Sequence, residues 1–444
     1  MKKWLTFKES VLIMSMLFGM FFGAGNLILP VYMGQLAGKN VVYAVIGFLI
    51  TGVSLPLLAV AALGKSRSQS LYDLSSRVSK NYGKFFTTAL YLTIGPCFAI
   101  PRCATTSYAV GVAPMLDADN NLYLFVFSFL FFVAAAYFSL RSDKILTYIG
   151  KILNPIFLCF LAIILFKAFT NPMASFSTIE ASESYINNSL FNGFYEGYNT
   201  MDALAGLAFG IVVVNVVRSH GLVDGDAVAA NTIVAGITSC LLMGVIYVAL
   251  AFAGANSPTT IGICANGGEA LSKIATYYFG DVGTIFLACI VTFACLKTAV
   301  GLIISCSEAF YELQNHKIDK KVLAIVFLAI SFTIANLGLN QIINFSIPVL
   351  MFLYPLAIVL ILLALSSNAF KKTPFVYRTT IYAALPFALL ELIKSLPFDI
   401  KIVKVVNNLV NALPLGNIGL EWLLPSFVVF VISLIYAKTF YKKK

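Results

Sequence analysis

Apolar runs of about 20 residues follow one another along nearly the whole chain, separated by short polar stretches. The runs cover 10–33, 41–63, 84–114, 121–140, 145–168, 193–217, 228–254, 283–310, 321–337, 342–365, 376–396 and 419–440. Each is long enough to cross a hydrocarbon core of ~30 Å as a helix. Strands of a membrane barrel would instead alternate apolar and polar residues in runs of roughly 10. The pattern therefore predicts an all-α polytopic membrane protein with about twelve transmembrane helices, forming a single membrane domain over 1–444. The 84–114 run is long enough to tilt. The stretches 171–192 and 257–282 are polar, and the second contains a short surface helix around Glu269–Tyr278. Neither is large enough to fold alone as a catalytic module.

Two of the runs carry features that a plain lipid-facing helix avoids. The first reads Gly19-Met20-Phe21-Phe22-Gly23-Ala24-Gly25-Asn26, with three glycines and an asparagine at mid-depth. Such a composition weakens a helix and lets the backbone unwind. The sixth reads Tyr198-Asn199-Thr200-Met201-Asp202-Ala203-Leu204-Ala205-Gly206, followed by Phe209-Gly210, and puts a carboxylate at a similar depth. They are five spans apart, an odd offset, so they cross in opposite directions. Paired interruptions of this kind mark an inverted repeat whose discontinuous helices 1 and 6 meet at the midplane. Unwound backbone leaves N–H and C=O groups that hydrocarbon cannot satisfy. Half-helix N-termini suit a carboxylate, and freed carbonyls suit an ammonium or a metal cation. An amino acid carries both groups. The competing reading makes Gly19 and Gly23 a GxxxG helix contact.

Composition and charge agree with the pattern. Hydrophobic residues make up 60% of the chain and charged residues 11%, a balance that needs lipid as solvent. The net charge of +11 does not indicate nucleic acid, because the basic residues lie between spans as the positive-inside rule requires. They cluster at Lys2, Lys3 and Lys8; at Lys65, Arg67, Arg77 and Lys80; at Arg141 and Lys144; at Arg218; at Lys317, Lys320 and Lys321; at Lys371, Lys372 and Arg378; and at Lys442, Lys443 and Lys444. Opposite loops carry Asp117, Asp119, Glu180, Glu183 and Asp281; Lys394, Lys401 and Lys404 in the last outer loop are the exception. Both termini are thus expected in the cytoplasm of a bacterial inner membrane. The start of the chain reads as a first span, not as a cleaved signal, since its apolar run is too long and lacks a small-residue cleavage site. Eight cysteines without a CxxC pair read as packing residues, and His220 and His316 fall in loops, which argues against a histidine metal or nucleophile site.

A charge near the centre of a membrane helix costs ~2.5–3.5 kcal/mol on insertion scales. Arg102 in span three, Asp202 in span six and Lys297 in span eight therefore need a reason. They are expected to line a polar pathway with spans one, three, six and eight, or else to form an Asp–Lys or Arg–carbonyl lock. Glu308, Lys151, Glu391 and Lys394 lie nearer span ends, where snorkelling accounts for them.

Four segments together resemble a known family. They are Phe22-Gly23-Ala24-Gly25-Asn26-Leu27-Ile28-Leu29-Pro30, Ala99-Ile100-Pro101-Arg102, Thr200-Met201-Asp202-Ala203-Leu204 and Cys295-Leu296-Lys297-Thr298-Ala299-Val300-Gly301-Leu302. In order and placement they resemble the bacterial branched-chain amino acid:cation symporters of the BrnQ type. That resemblance implies a LeuT-type fold of the amino acid–polyamine carrier superfamily. Two inverted five-helix repeats would cover 10–168 and 193–365, with two accessory helices over 376–440. It implies leucine, isoleucine or valine as substrate and Na+ or H+ as coupling ion, with no other cofactor, no nucleic acid and no obligate protein partner. The substrate would lie at Gly23, Ala24, Gly25, Asn26, Thr200, Asp202, Leu204, Gly206 and Tyr108. Phe21, Phe22, Met201 and Phe209 are further candidates for the apolar wall.

The resemblance also implies a sodium near Asn26 and a second cation site at Gly19, Phe22 and Thr298. Here the chain departs from the family. Lys297 stands where a second hydroxyl is usual, and the glutamate expected near Ala109 is missing. Lys297 is accordingly expected to replace the second sodium as a tethered cation, bridging the repeats by charge-assisted hydrogen bonds to carbonyls. Transport would then be proton-coupled or exchange. The rival readings are a carrier for another small amino acid or amine, a passive channel, and, more remotely, a membrane-embedded enzyme. No paired histidines, acidic motif or cysteine nucleophile supports the last.

Overall fold

The computed structural model describes residues 4–116, 121–141, 145–222, 224–370, 374–398 and 400–440. Of the charges used above to orient the chain, Lys2, Lys3, Asp117, Asp119, Lys144, Lys371, Lys372 and Lys442–Lys444 lie outside the described residues. So does the side chain of Lys151.

The described residues form helices joined by turns and loops, with no strand among them. The helices in chain order are α1 (Phe7–Phe21), α2 (Ala24–Ala37), α3 (Val41–Leu49), α4 (Leu55–Ser66), α5 (Leu71–Ser75), α6 (Lys80–Leu92), α7 (Ala99–Gly111), α8 (Asn121–Leu140), α9 (Ile145–Thr170) and α10 (Glu183–Asn187). They continue with α11 (Ser189–Asn199), α12 (Asp202–Ser219), α13 (Gly225–Ala255), α14 (Pro258–Ile261), α15 (Gly267–Leu313), α16 (Lys320–Ala335), α17 (Leu339–Leu365), α18 (Pro374–Lys394), α19 (Lys401–Asn411) and α20 (Leu423–Phe440). Every apolar run read from the sequence falls on one of these helices or on a pair of them. The expected surface helix forms the first part of α15, which bends at Gly280 (φ +61°) before the apolar part begins.

By length and composition, seven helical stretches among the described residues can cross a membrane, and two more are apolar but shorter. The smaller number has a physical cause. One of the seven, Gly25–Ser66, takes in part of the first apolar run and all of the second, and the 84–114 run is broken so that no unbroken helix in it reaches membrane length. π-helical turns over Ile50–Ser54 and Thr93–Cys97 join α3 to α4 and α6 to α7. In the second, Gly95 leaves helical geometry ahead of Pro96, whose ring removes a backbone donor.

The core is the shared wall of the broken helices and their neighbours. α2 crosses α13 and α3 crosses α11 almost backbone to backbone. A Cβ on Gly34 would strike the Ala251 carbonyl, and one on Gly254 the Val31 carbonyl. The same reciprocity joins Gly47 to Leu190 and Gly193 to Ala44. Small residues permit this approach, which takes the place of the hydrophobic drive that lipid does not supply. Two loops pin the far end of α2. Gln35 donates to Ser257 Oγ (2.8 Å) and accepts from the Cys264 N–H (3.1 Å), and Ser182 donates its N–H to the Leu36 carbonyl (2.9 Å).

Candidate functional site: two helix breaks and the cavity beside them

α1 stops at Phe21, Phe22 and Gly23 run extended, and α2 starts at Ala24. The Asn26 side-chain oxygen accepts the Gly23 N–H (3.0 Å), capping one of the donors that a new helix leaves free. α11 stops at Asn199, Met201 adopts the left-handed region (φ +63°), and α12 starts at Asp202. Thr200 bridges this second break, donating its hydroxyl to the Gly197 carbonyl (2.9 Å) and accepting the Asp202 N–H (3.3 Å). α1 packs on α12 and α2 on α11, the pairing of two broken helices that run antiparallel.

Four buried side chains tie the breaks together. The Asn26 amide nitrogen donates to the Asp202 carboxylate and to the Tyr247 hydroxyl of α13. Arg102 of α7, 4% exposed, donates to the Asn199 carbonyl and, at 3.5 Å, to that of Thr200. These carbonyls are the acceptors freed at the end of α11, so the guanidinium closes the C-terminal side of the second break. It also lies against the first break. A Cβ on Gly25 would meet Arg102 Nη2 at 3.0 Å, so glycine leaves room for the guanidinium. Of the two roles expected for Arg102, the carbonyl lock is the one its hydrogen bonds display.

On the other side of the breaks lies a cavity of about 370 Å³, walled by Gly19, Phe22, Gly23, Phe209, Lys297 and Thr298 among others. A Cβ on Gly19 or on Gly301 would meet nothing within 4 Å, so at Gly19 glycine does not serve a helix–helix contact. Phe22 stacks between Phe18 (4.9 Å) and Tyr247 (6.3 Å), giving one wall an aromatic face. The cavity shares Phe209, Val212 and Ser305 with a second, more polar one of about 530 Å³ that reaches Lys84, Glu308 and Glu312. Together they form a path from the first break to the side of the bundle where Arg67 and Lys320 lie.

The residues expected at the site divide between these two places. Gly23 lies on both, Gly25, Asn26, Thr200, Asp202 and Arg102 belong to the polar knot, and Gly19, Phe22, Lys297, Thr298 and Phe209 belong to the cavity. Ala24 opens α2. Leu204 and Phe21 are buried in the core, and Gly206 faces Pro56 and Ala59 of α4. Met201 is buried at the turn of the second break. Tyr108 turns its ring to Phe127 of α8 (5.8 Å), away from the cavity wall. The Thr298 hydroxyl donates to the Ala294 carbonyl of its own helix (3.1 Å). Among the described residues, the Lys297 ammonium makes neither an ion pair with Asp202 nor a hydrogen bond to the Gly19 or Phe22 carbonyl. Glu391 and Lys394 do not snorkel; Glu391 is buried and accepts from Lys394 (3.0 Å). Glu308 does lie at the surface, paired with Lys320 (2.7 Å).

Two participants escaped the sequence reading. Tyr247 sits in an unbroken apolar helix and carries no local signal. Glu196, bonded to the Asn199 amide (3.1 Å), lies six residues ahead of Asp202 in the interrupted span and was visible there as one more ionisable group at membrane depth.

Antiparallel broken helices, a polar knot at the breaks and a cavity opening to one side define a class: a multi-pass helical membrane protein with interrupted helices around an internal cavity. The chain belongs to the family of branched-chain amino acid transport proteins, whose family model matches residues 6–440. It is 47% identical over 434 residues to the branched-chain amino acid permease BrnQ of Lactobacillus delbrueckii subsp. lactis, covering 97% of each chain. It is 42% identical to the permease of the same name in Bacillus subtilis, over 97% of this chain and 98% of that one. The Escherichia coli K12 permease BrnQ is 37% identical, over 95% of this chain and 94% of that one.

Proposed function

We propose that this protein is a secondary carrier that imports leucine, isoleucine and valine across the bacterial inner membrane by alternating access. Family membership and relatives named as branched-chain amino acid permeases support the substrate class. The observation that carries the mechanism is the meeting of two helix breaks, tied together by Asn26, Asp202 and Arg102, with a partly apolar cavity beside the first of them. Free N–H groups at the start of α2 suit a carboxylate, and the wall of Phe22, Phe209 and Leu302 suits an aliphatic side chain. Single methylenes separate the three substrates, worth only ~1–3 kcal/mol, so a broad aliphatic range is expected.

In this reading the fold is of the LeuT type, with twelve spans. Repeats over 10–168 and 193–365 rock against each other, and 376–440 forms the accessory pair. Both termini face the cytoplasm, and the cavity path opens toward it. Na+ or H+ supplies the drive. Lys297 and the Gly19 and Phe22 positions share one cavity wall, which supports Lys297 as the stand-in for a second sodium, reached in a state more closed than this one.

Proteoliposomes loaded with unlabelled leucine should take up labelled leucine by counterflow. Isoleucine and valine should compete strongly, alanine weakly and lysine not at all. Uptake without counterflow would make the protein a channel, and strong competition by lysine would assign it to another class of amino acid or amine.

A further inference from the structure

Away from the breaks, on the far side from the cavity mouth, α11 meets α18 and the turn that leads into α20. The Lys394 ammonium of α18 donates to Glu391 (3.0 Å) and to the Gly416 carbonyl (3.2 Å). Glu421, in the turn, is 2% exposed, and neither of its carboxyl oxygens has a hydrogen-bond partner among the described residues. A Cβ on Gly419 would lie 3.5 Å from Glu391 Oε1, which sets the Glu391 carboxyl beside the turn that carries Glu421 two residues further on. Two ionised carboxylates only accept, so no bond joins them until one carries a proton.

Charge counting leads to the same place. The titratable groups that face one another here are Glu391 and Lys394 of α18, Glu421 of the turn, and Tyr195 and Tyr198 of α11. Lys401 and Lys404 of α19 are exposed. One ammonium therefore faces two carboxyls in a buried place, where an uncompensated charge is costly. A cavity of about 200 Å³, lined by Tyr195, Glu391, Lys394 and Gly419, gives the site a route to water.

We propose that Glu391 and Glu421 form a proton-binding site, one proton held between two carboxyls, which clamps the half-helix α11 to the accessory helices. The clamp is the turn itself. Tyr195 donates its hydroxyl to the Ile418 carbonyl, and Gly419, at φ +59°, lacks the Cβ that would displace that hydroxyl. With the proton in place the carboxyls are donor and acceptor, and Lys394 neutralises the remaining charge. Once the proton leaves, two carboxylates repel across one ammonium, the turn opens, and α11 loses its anchor one turn from the break. The consequence for transport rests on the carrier reading; the proton site does not.

The chain has two tryptophans, and Trp422 is buried next to Glu421. In the full chain in nanodiscs, Trp4→Phe leaves Trp422 as the sole reporter. Its emission should shift with pH in a single transition as the pair gains or loses its proton. Glu421→Gln, whose amide can donate to Glu391 permanently, should abolish the shift. Glu391→Gln should do the same if Glu421→Gln does not fold. Leucine uptake should change over the same pH interval in the parent and stay flat in the variant. Identical emission curves in parent and variant, or no transition in the parent, would overturn the proposal. An emission shift that Glu421→Gln removes, with no leucine uptake at any pH, would uphold the proton site and sink the carrier reading.

Discussion

Arg102 and Lys297 are both cations at membrane depth beside the same pair of broken helices, yet their surroundings differ. Arg102 is buried, bonded to two carbonyls of the second break and fitted against the glycine that opens α2. Lys297 lies on a cavity wall with no bond to its neighbours among the described residues. The guanidinium offers several donors in a rigid fork and cannot lose its charge, which suits a permanent lock. The ammonium is a compact charge on a flexible stem, which suits a group that must find its partners in only part of a cycle. Arg102 belongs to the part of the site that holds the breaks open, and Lys297 to the part that leaves space beside them.

Removing the lock should have the largest effect. Arg102→Met would leave the Asn199 and Thr200 carbonyls buried without donors, at about 1–3 kcal/mol for each acceptor. Uptake of leucine should fall to background, and thermal unfolding of the purified chain should move well downward. Arg102→Lys keeps the charge but not the fork and should fall between the two. Wild-type uptake in Arg102→Met would show that the guanidinium is dispensable and erase the contrast with Lys297. Gly25→Ala attacks the same lock from the other break. Its Cβ, 3.0 Å from Arg102 Nη2 and 3.3 Å from Cζ, must push the guanidinium aside, an overpacking cost of about 1–3 kcal/mol.

How far each region could be read in advance follows from this division. The helix breaks were legible because glycine, asparagine and aspartate weaken a helix inside an apolar run, and the polar two are costly there unless the backbone opens to meet them. Gly19-to-Asn26 and Tyr198-to-Gly206 indeed bracket both breaks. The rotation of each helix about its axis was not legible. It turns Tyr108 toward Phe127, Gly206 toward α4 and Tyr247 into the knot. Those orientations are set by crossings such as Gly34 with Ala251, which depend on residues distant in sequence. Glu391 shows the same limit from the other direction. Its position near a span end suggested snorkelling, but the turn around Gly419 folds back over it.

On the cavity side, changes should alter transport while sparing the fold. Gly301→Ala places a methyl where no atom lies within 4 Å, and alanine in a helix is favoured over glycine by about 0.5–1 kcal/mol. The unfolding temperature should hold or rise slightly. KM for leucine and isoleucine should rise by up to about tenfold relative to valine, because the added methyl takes space that the longer chains need. Equal KM changes for all three substrates would mean that the cavity does not hold the aliphatic side chain. A fall in unfolding temperature like that of Gly25→Ala would mean that this wall is packed, contrary to the geometry.

Lys297→Thr should change stability least, within about 0.5 kcal/mol, since it breaks no hydrogen bond or ion pair among the described residues. Its effect should appear in the ion requirement. With choline in place of sodium, the wild type should retain leucine uptake if the tethered ammonium fills the second cation position. Lys297→Thr restores two adjacent hydroxyl residues with Thr298 and should then require sodium. Sodium dependence that is the same in both proteins would remove Lys297 from the coupling mechanism. A large loss of stability would show instead that the ammonium has structural partners, making it a second lock like Arg102. Only the combination of unchanged unfolding and a new sodium requirement assigns the two cations to different tasks, because stability reports the bonds a side chain makes at rest and ion dependence reports those it makes while the carrier turns over.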